Sequence, residues 1–222
     1  VSLHGEGRTM LAEAEKALQG ENLAEAEKKC SDADNLFKQA EEFYVNSLNS
    51  QLDNSDKNSV AEPSNFSVKN QQLLQADLQN LFQLKKAIEE LRKKEQQAQN
   101  KINQALQEQK KQNQQNQQNQ QNQQNQQNQS GTSEKSTAEQ ATEDAQKAVA
   151  DLQRQAEIMQ QKSLAEQAKK AQQSLKEAQE EQQKNNSQKA MDKLNEAQQA
   201  LNSSPNEEKN MEDKANKSDA AE

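Results

Sequence analysis

The chain is short of the residues that build large hydrophobic cores. Among its 222 residues there are no tryptophans, one tyrosine and four phenylalanines, and hydrophobic residues make up only 29%. Ordinary globular domains contain roughly 45–50%. Because so little apolar surface cannot offset the conformational entropy of a large compact domain, the composition excludes one. Narrow contacts between long helices need far less apolar surface and remain possible.

Residues that break helices or favour strands are scarce as well. The chain has four glycines and two prolines, so long uninterrupted helices are possible. The shortage of valine, isoleucine, tyrosine and tryptophan disfavours β-sheets. We therefore predict an all-α fold of long helices in coiled-coil-like hairpins, with a disordered linker and a disordered tail.

Single copies of histidine and cysteine limit the chemistry that the chain can perform. A metal site or a base-assisted nucleophile needs several converging groups. We therefore predict no catalytic, cofactor-binding or metal-binding residues, and a protein that is not an enzyme. His4 is expected at the surface. Cys30 is spaced with apolar neighbours, which favours a buried side chain, and a disulfide between two copies is the alternative.

The charge and the hydropathy pattern indicate the class of partner. The formal net charge is −8, from 28 basic and 36 acidic residues. An acidic chain with few aromatic rings is unsuited to binding nucleic acid. No apolar run approaches the roughly 18 residues that span a bilayer, so we predict no transmembrane segment. The expected partners are proteins, or further copies of the chain, bound through helices.

Hydrophobic periodicity predicts five helices. They are expected over 9–19, 23–48, 67–112, 136–184 and 188–201. Thr9 is the expected N-cap of the first helix, and Gly20-Glu21-Asn22 has the residues of a tight turn. Ser136 and Glu139 form a capping-box pattern. A change of phase in the apolar stripe after Met159 predicts a local change of supercoiling or a bend within the fourth helix.

These segments define six regions of the chain. They are an N-terminal helical hairpin (1–48), a linker (49–66), a heptad-patterned helix (67–112), a Gln/Asn-rich low-complexity spacer (113–135), a C-terminal alanine-rich helical hairpin (136–201) and a disordered charged tail (202–222). The Gln-Gln-Asn repeat has no apolar anchor, which favours a flexible spacer. An Asn/Gln ladder that self-associates is the alternative.

Apolar side chains at helical and heptad spacing form the candidate helix–helix interface. An a/d pattern is the surface of a helix that packs against another helix. The predicted interface residues are Leu23, Phe37, Tyr44, Leu74, Leu81, Leu84, Ile88, Leu91, Ile102, Leu152, Leu175, Leu194 and Leu201.

The two ends of the chain share a pattern of small and apolar residues. Ala26, Cys30, Ala33 and Phe37 recur 164 positions later as Ala190, Leu194, Ala197 and Leu201. Leu11, Ala14 and Asn22 recur at the same offset as Leu175, Ala178 and Asn186. Because the turn and both flanking helices agree, we predict two related helical hairpins.

Each hairpin resembles part of a tetratricopeptide unit through the pattern Ala-x-x-x-Leu-x-x-Ala, found at 190–197. With the Gln/Asn-rich segment beside them, the hairpins also resemble bacterial helical-hairpin proteins of the aerotolerance-operon and envelope type. That resemblance implies the periplasm or envelope if a signal peptide was removed, and the cytoplasm otherwise.

Two functions fit these observations. The first is a non-enzymatic structural or scaffolding protein that acts through helix–helix contacts. The alternative is a tetratricopeptide-like adaptor that binds a protein partner in a bacterial envelope complex.

Overall fold

The structure is a computed structural model that describes residues 2–55, 65–122 and 136–203. These residues form the helices α1 (Leu3–Gln19), α2 (Leu23–Ser55), α3 (Asn65–Asn122), α4 (Thr137–Ile158), α5 (Lys162–Gln183) and α6 (Ser187–Asn202). No strand occurs in these three ranges, and the all-α prediction is confirmed. The predicted flexible spacer and disordered tail lie largely outside the described residues.

The helices form two compact units, Val1–Glu90 and Leu91–Glu222. In unit 1, α1 packs against α2, and the first part of α3 joins them. In unit 2, α5 packs against both α4 and α6, and the rest of α3 bonds to these helices. The boundary between the units falls within the heptad-patterned helix, where the sequence predicted no division.

Three turns of one geometry connect α1 to α2, α4 to α5 and α5 to α6. Each contains a left-handed residue, and these are Glu21, Gln160 and Asn185, with φ of 60°, 58° and 57°. The N–H of the next residue bonds to the carbonyl five positions back, from Asn22 to Ala17, from Gln161 to Ala156 and from Asn186 to Glu181. This pattern is the Schellman motif, which satisfies the last carbonyls of a helix. Each turn therefore reverses the chain within three residues.

Several predicted helix boundaries are wrong. The first helix begins at Leu3 with Ser2 as its N-cap, and Thr9 lies inside it, where its hydroxyl donates to the carbonyl of Gly5. The predicted helix 136–184 is two helices, because the chain reverses at 159–161, where we expected only a change of supercoiling or a bend. The second and third helices extend beyond 23–48 and 67–112, so residues 49–55 and 113–122 are helical.

Other local signals are confirmed. The hydroxyl of Ser136 accepts a bond from the N–H of Glu139, and the Glu139 carboxylate accepts one from the N–H of Ser136. This is the predicted capping box, and it fixes the start of α4. The turn at Gly20-Glu21-Asn22 also forms as predicted, and Asn22 accepts a bond from the N–H of Glu25.

The hairpins α1–α2 and α5–α6 bury the same positions, 164 residues apart. The predicted pairs in their helices are all buried: Leu11 and Leu175, Ala14 and Ala178, Ala26 and Ala190, Cys30 and Leu194, Ala33 and Ala197, Phe37 and Leu201. Two further buried pairs extend the repeat, His4 with Ala168 and Gly7 with Ala171. Compared with Leu201 and Ala171 in α5–α6, the α1–α2 hairpin therefore has a larger side chain at Phe37 and a smaller residue at Gly7.

The ring of Phe37 explains why residue 7 is a glycine. A methyl group on Gly7 would lie 2.5 Å from Cε1 of Phe37, a distance that real side chains do not adopt. In the equivalent hairpin, the corresponding buried residues are Leu201 and Ala171. A glycine inside a helix normally costs about 1 kcal/mol relative to alanine. The chain tolerates that cost because the glycine allows Phe37 to be fully buried.

Exchanging residues between the two hairpins tests this pairing. We expect Gly7→Ala to lower the free energy of unfolding by roughly 1–3 kcal/mol, because the added methyl overpacks the core. Adding Phe37→Leu should then recover part of that loss, because it recreates the pair found at Ala171 and Leu201. Thermal and urea unfolding followed by circular dichroism measure both effects.

The matched control is Gly20→Ala, where the new methyl would meet only backbone oxygens at 3.4 and 3.5 Å. The φ of Gly20 is −81°, so alanine fits and the change should be neutral or slightly stabilising. Equal effects of the substitutions at Gly7 and Gly20 would contradict our explanation.

Candidate helix–helix interface

The predicted interface residues mostly lie inside the chain's own units. Ten of the thirteen are buried: Phe37, Leu74, Leu81, Ile88, Leu91, Ile102, Leu152, Leu175, Leu194 and Leu201. The other three, Leu23, Tyr44 and Leu84, are half-buried. The heptad pattern is divided between the units, with Leu74, Leu81 and Ile88 in unit 1 and Leu91 and Ile102 in unit 2. Most of this pattern is therefore used for packing within one chain.

The large apolar side chains that are exposed are not among the predicted interface residues. The sequence pattern did not identify them. Among the side chains of unit 1 that the structure describes, four are of this kind: Phe43 is 65% exposed, Phe82 63%, Leu73 43% and Val45 41%. In unit 2, among the residues that the structure describes, Ile158 is exposed beside the turn between α4 and α5. These residues fall off the buried stripes, so periodicity alone could not identify them.

His4 is buried, which corrects its predicted surface position. Its Nε2 donates a hydrogen bond to Oδ2 of Asp77, 2.8 Å away on α3, and Nε of Arg8 lies 3.4 Å from the same oxygen. The rings of Phe37 and Tyr44 meet the imidazole edge to face. The cluster links α1 to α2 and α3.

Unit 2 contains a buried network of amides and hydroxyls. The Nε2 of Gln182 donates to Oε1 of Gln109 at 2.7 Å and to Oγ1 of Thr142 at 3.0 Å. Thr142 donates in turn to the carbonyl of Ala138. The network joins α3, α4 and α5 through groups that would be costly to bury without partners. Sequence analysis missed it because glutamine is common throughout the chain.

Charge pairs connect α2 to α3 in unit 1. The Oδ2 of Asp34 accepts hydrogen bonds from Lys85 on α3 at 3.0 Å and from Lys38 at 3.1 Å. Partial burial acts to raise the pKa of Asp34, but the two lysines outweigh it and hold that pKa below its usual value. The ionised form is therefore the one that stabilises the fold.

Cys30 occupies the position equivalent to Leu194 and is fully buried. Burial raises the pKa of its thiol, which favours the unreactive protonated form. The structure thus places Cys30 as the small buried hydrophobe that its spacing predicted.

The structure describes residues 2–55, 65–122 and 136–203. Over those ranges, no three side chains of His, Cys, Asp or Glu come together as a metal site. No helix in the same ranges combines the length and apolar character needed to cross a membrane. Comparison of the chain with protein-family models, with curated proteins and with solved structures gave no match.

The acid sensitivity of unit 1 should depend on Asp34. Because the pKa of Asp34 is lower in the folded state, its stabilisation is complete above the unfolded value near 3.8 and is lost as the pH falls through the folded value. Asp34→Asn should therefore lower the free energy of unfolding at pH 7, by about 0.2–1 kcal/mol per lost pair. The difference from the wild type should shrink as the pH falls below 3.8.

Urea unfolding between pH 2 and pH 7 measures this difference. Asp151→Asn is the control, since Asp151 and Arg154 form an exposed pair 3.8 Å apart. A wild-type advantage that did not shrink as the pH fell below 3.8 would contradict the assignment to Asp34.

The reactivity of Cys30 should report the opening of unit 1. We expect an aromatic disulfide reagent at pH 7 to label the native chain slowly, and the destabilised Gly7→Ala variant faster. Absorbance of the released thiolate measures the rate. Immediate labelling of the native chain, or a covalent dimer on a non-reducing gel, would contradict the buried position.

Proposed function

We propose that this protein is a non-enzymatic scaffold that acts through helix–helix contacts. The observation that carries the proposal is the exposure of large apolar side chains on unit 1. The chain has only four phenylalanines, yet Phe43 and Phe82 are both more than half exposed. Exposed phenylalanine side chains are expected to lower the solubility of a protein, and aromatic residues are enriched at protein interfaces. A partner that covers these side chains accounts for their positions.

The partner surface differs from the one that the heptad pattern suggested. The members of that pattern are mostly buried within the chain, so they are not available to a second molecule. Phe82 and Leu73 lie on α3, and Phe43 and Val45 lie on α2. All four belong to helices, so a partner that covers them makes contact with helical surface. This supports a scaffold or binding role over a catalytic one.

The alternative function is an adaptor with tetratricopeptide-like hairpins. Three turns of one geometry and the repeat at an offset of 164 residues favour it. The two functions differ in what unit 1 contacts, because a scaffold that assembles with itself binds further copies and an adaptor binds a different protein.

Site-specific photo-crosslinking tests the proposal. A benzoylphenylalanine placed at Phe43 or Phe82 in the full chain should give a discrete crosslinked product in cells that express the protein. Ile158, which is also exposed but lies in unit 2, is the control position and should give little product. Gel mobility and mass spectrometry identify what was captured.

The mass of the product separates the two functions. Twice the mass of the chain supports assembly with itself, and a defined different mass supports the adaptor. If Phe43 and Phe82 gave no more product than Ile158, the proposed function would be wrong.

A further inference from the structure

The core of unit 2 repeats after seven residues on each of three helices. Three buried polar side chains, Gln109 of α3, Thr142 of α4 and Gln182 of α5, each lie seven positions from a buried apolar one: Ile102, Val149 and Leu175. A displacement of α3 by seven residues along α4 and α5 would therefore bring core positions against core positions again. Because heptad packing repeats in this way, it permits more than one register.

The chain connections fix the register of α4, α5 and α6 relative to one another, but not that of α3. Turns of three residues join α4 to α5 and α5 to α6. Residues 123–135 separate the end of α3 from Ser136, and a segment of this length can reach roughly 40 Å. One heptad of helix is about 10 Å long. The connection before α4 is therefore long enough for more than one register, and side-chain contacts must select one.

Contacts at the rim of α3 contribute little to this selection. The Nζ of Lys101 lies 3.4 Å from Oδ2 of Asp144 on α4, and the two side chains are 40% and 46% exposed. Gln198 of α6 donates a hydrogen bond to Asn103 of α3, also at the surface. Exposed pairs of this kind are screened by solvent and stabilise one arrangement only weakly.

The buried network distinguishes the registers much more strongly. In the native register, Oε1 of Gln109 accepts a hydrogen bond of 2.7 Å from Nε2 of Gln182. If Gln109 moved to the level of Ile102, its amide would be buried at an apolar position without that partner, which is costly. The Oε1 of Gln182 already has no hydrogen-bond partner among the described residues, so the displaced register would add a second unpaired group.

We propose that the hydrogen bond between Gln109 and Gln182 is a register lock, which holds α3 at one position along α4, α5 and α6. A polar group at a single core position of a helix bundle specifies register in this way, at some loss of stability relative to an apolar residue.

Two half-buried residues of α3 oppose displacement as well. The displacement that carries Gln109 to the level of Ile102 would carry Gln112 to that of the fully buried Ala105. The opposite displacement would carry Glu95 to the level of Ile102, where an unpaired carboxylate is still less favourable. A variant that releases the lock must therefore change Gln112 together with Gln109.

Distances between two spin labels test the lock in the full chain. Lys93→Cys on α3 and Gln140→Cys on α4 place the labels at exposed positions of unit 2, and Cys30→Ala removes the native thiol. Double electron–electron resonance should give one distance for this reference chain. In the variant Gln109→Leu/Gln112→Ala we expect a second distance, longer by up to about 10 Å, because α4 then moves by one heptad toward the C-terminal end of α3.

Moving the lock by one heptad gives the sharper result. Position 116 of α3 is seven residues after Gln109, so Asn116→Gln added to the double variant supplies an amide that can bond to Gln182 in the displaced register. The longer distance should then become the major one. A side chain at Gln109 that only filled space would not predict this transfer.

The matched control makes the same types of substitution between α4 and α5. Gln146→Leu/Gln179→Ala removes two glutamines whose hydrogen bonds link these helices, but the turn at 159–161 already fixes their register. The control should therefore keep the single distance of the reference chain.

Three distance results would overturn the inference. They are two distances in the reference chain, an unchanged single distance in both altered α3 variants, and the same second distance in the control. Circular dichroism follows the helicity of each variant. Loss of helicity in the α3 variants would also overturn the register lock, because it would show that the amide is required for folding and not for position.

Discussion

Close packing along alanine stripes is the constraint on which the rest of this structure depends. With few large apolar residues available, the helices gain stability only if their backbones approach closely. Ala14, Ala26 and Ala33 are fully buried in the α1–α2 hairpin, and their equivalents in α5–α6 are buried in the same way. One large ring, Phe37, is accommodated because the facing position is Gly7. Where side chains are this small, each methyl group at a contact position affects how near two helices can come.

Those parts of the fold that depend on local sequence could be predicted. The turn after Gly20 and the capping box at Ser136 rest on residues within four positions of each other. The turn at Gln160 could not be predicted, because a glutamine has no preference for the left-handed conformation that it adopts there. Packing of α4 against α5 offsets that cost. The early start of α1 was missed because Gly5 and Gly7 are poor helix formers.

The candidate site illustrates a different limit. Heptad spacing identified residues that pack against helices, and ten of thirteen are buried, but spacing does not say which chain supplies the neighbouring helix. Leu73 and Leu74 are adjacent leucines of α3, and only Leu74 is buried. Phe43 and Phe82 were missed for a simpler reason, since a periodic pattern selects buried stripes and leaves side chains on other faces without interpretation.

The differences between the two hairpins are therefore more informative about function than their similarities. The buried pairs keep small or apolar residues because both hairpins must pack closely. At the position shared by Gln179 and Glu15, an amide lies beneath α4 and a carboxylate lies in the open. A buried amide can donate to Glu143 without adding a second negative charge. A carboxylate avoids a large desolvation penalty only where solvent or a cation reaches it. The residue type at this position therefore follows its burial, with an amide where α4 lies beside it and a carboxylate where it is exposed.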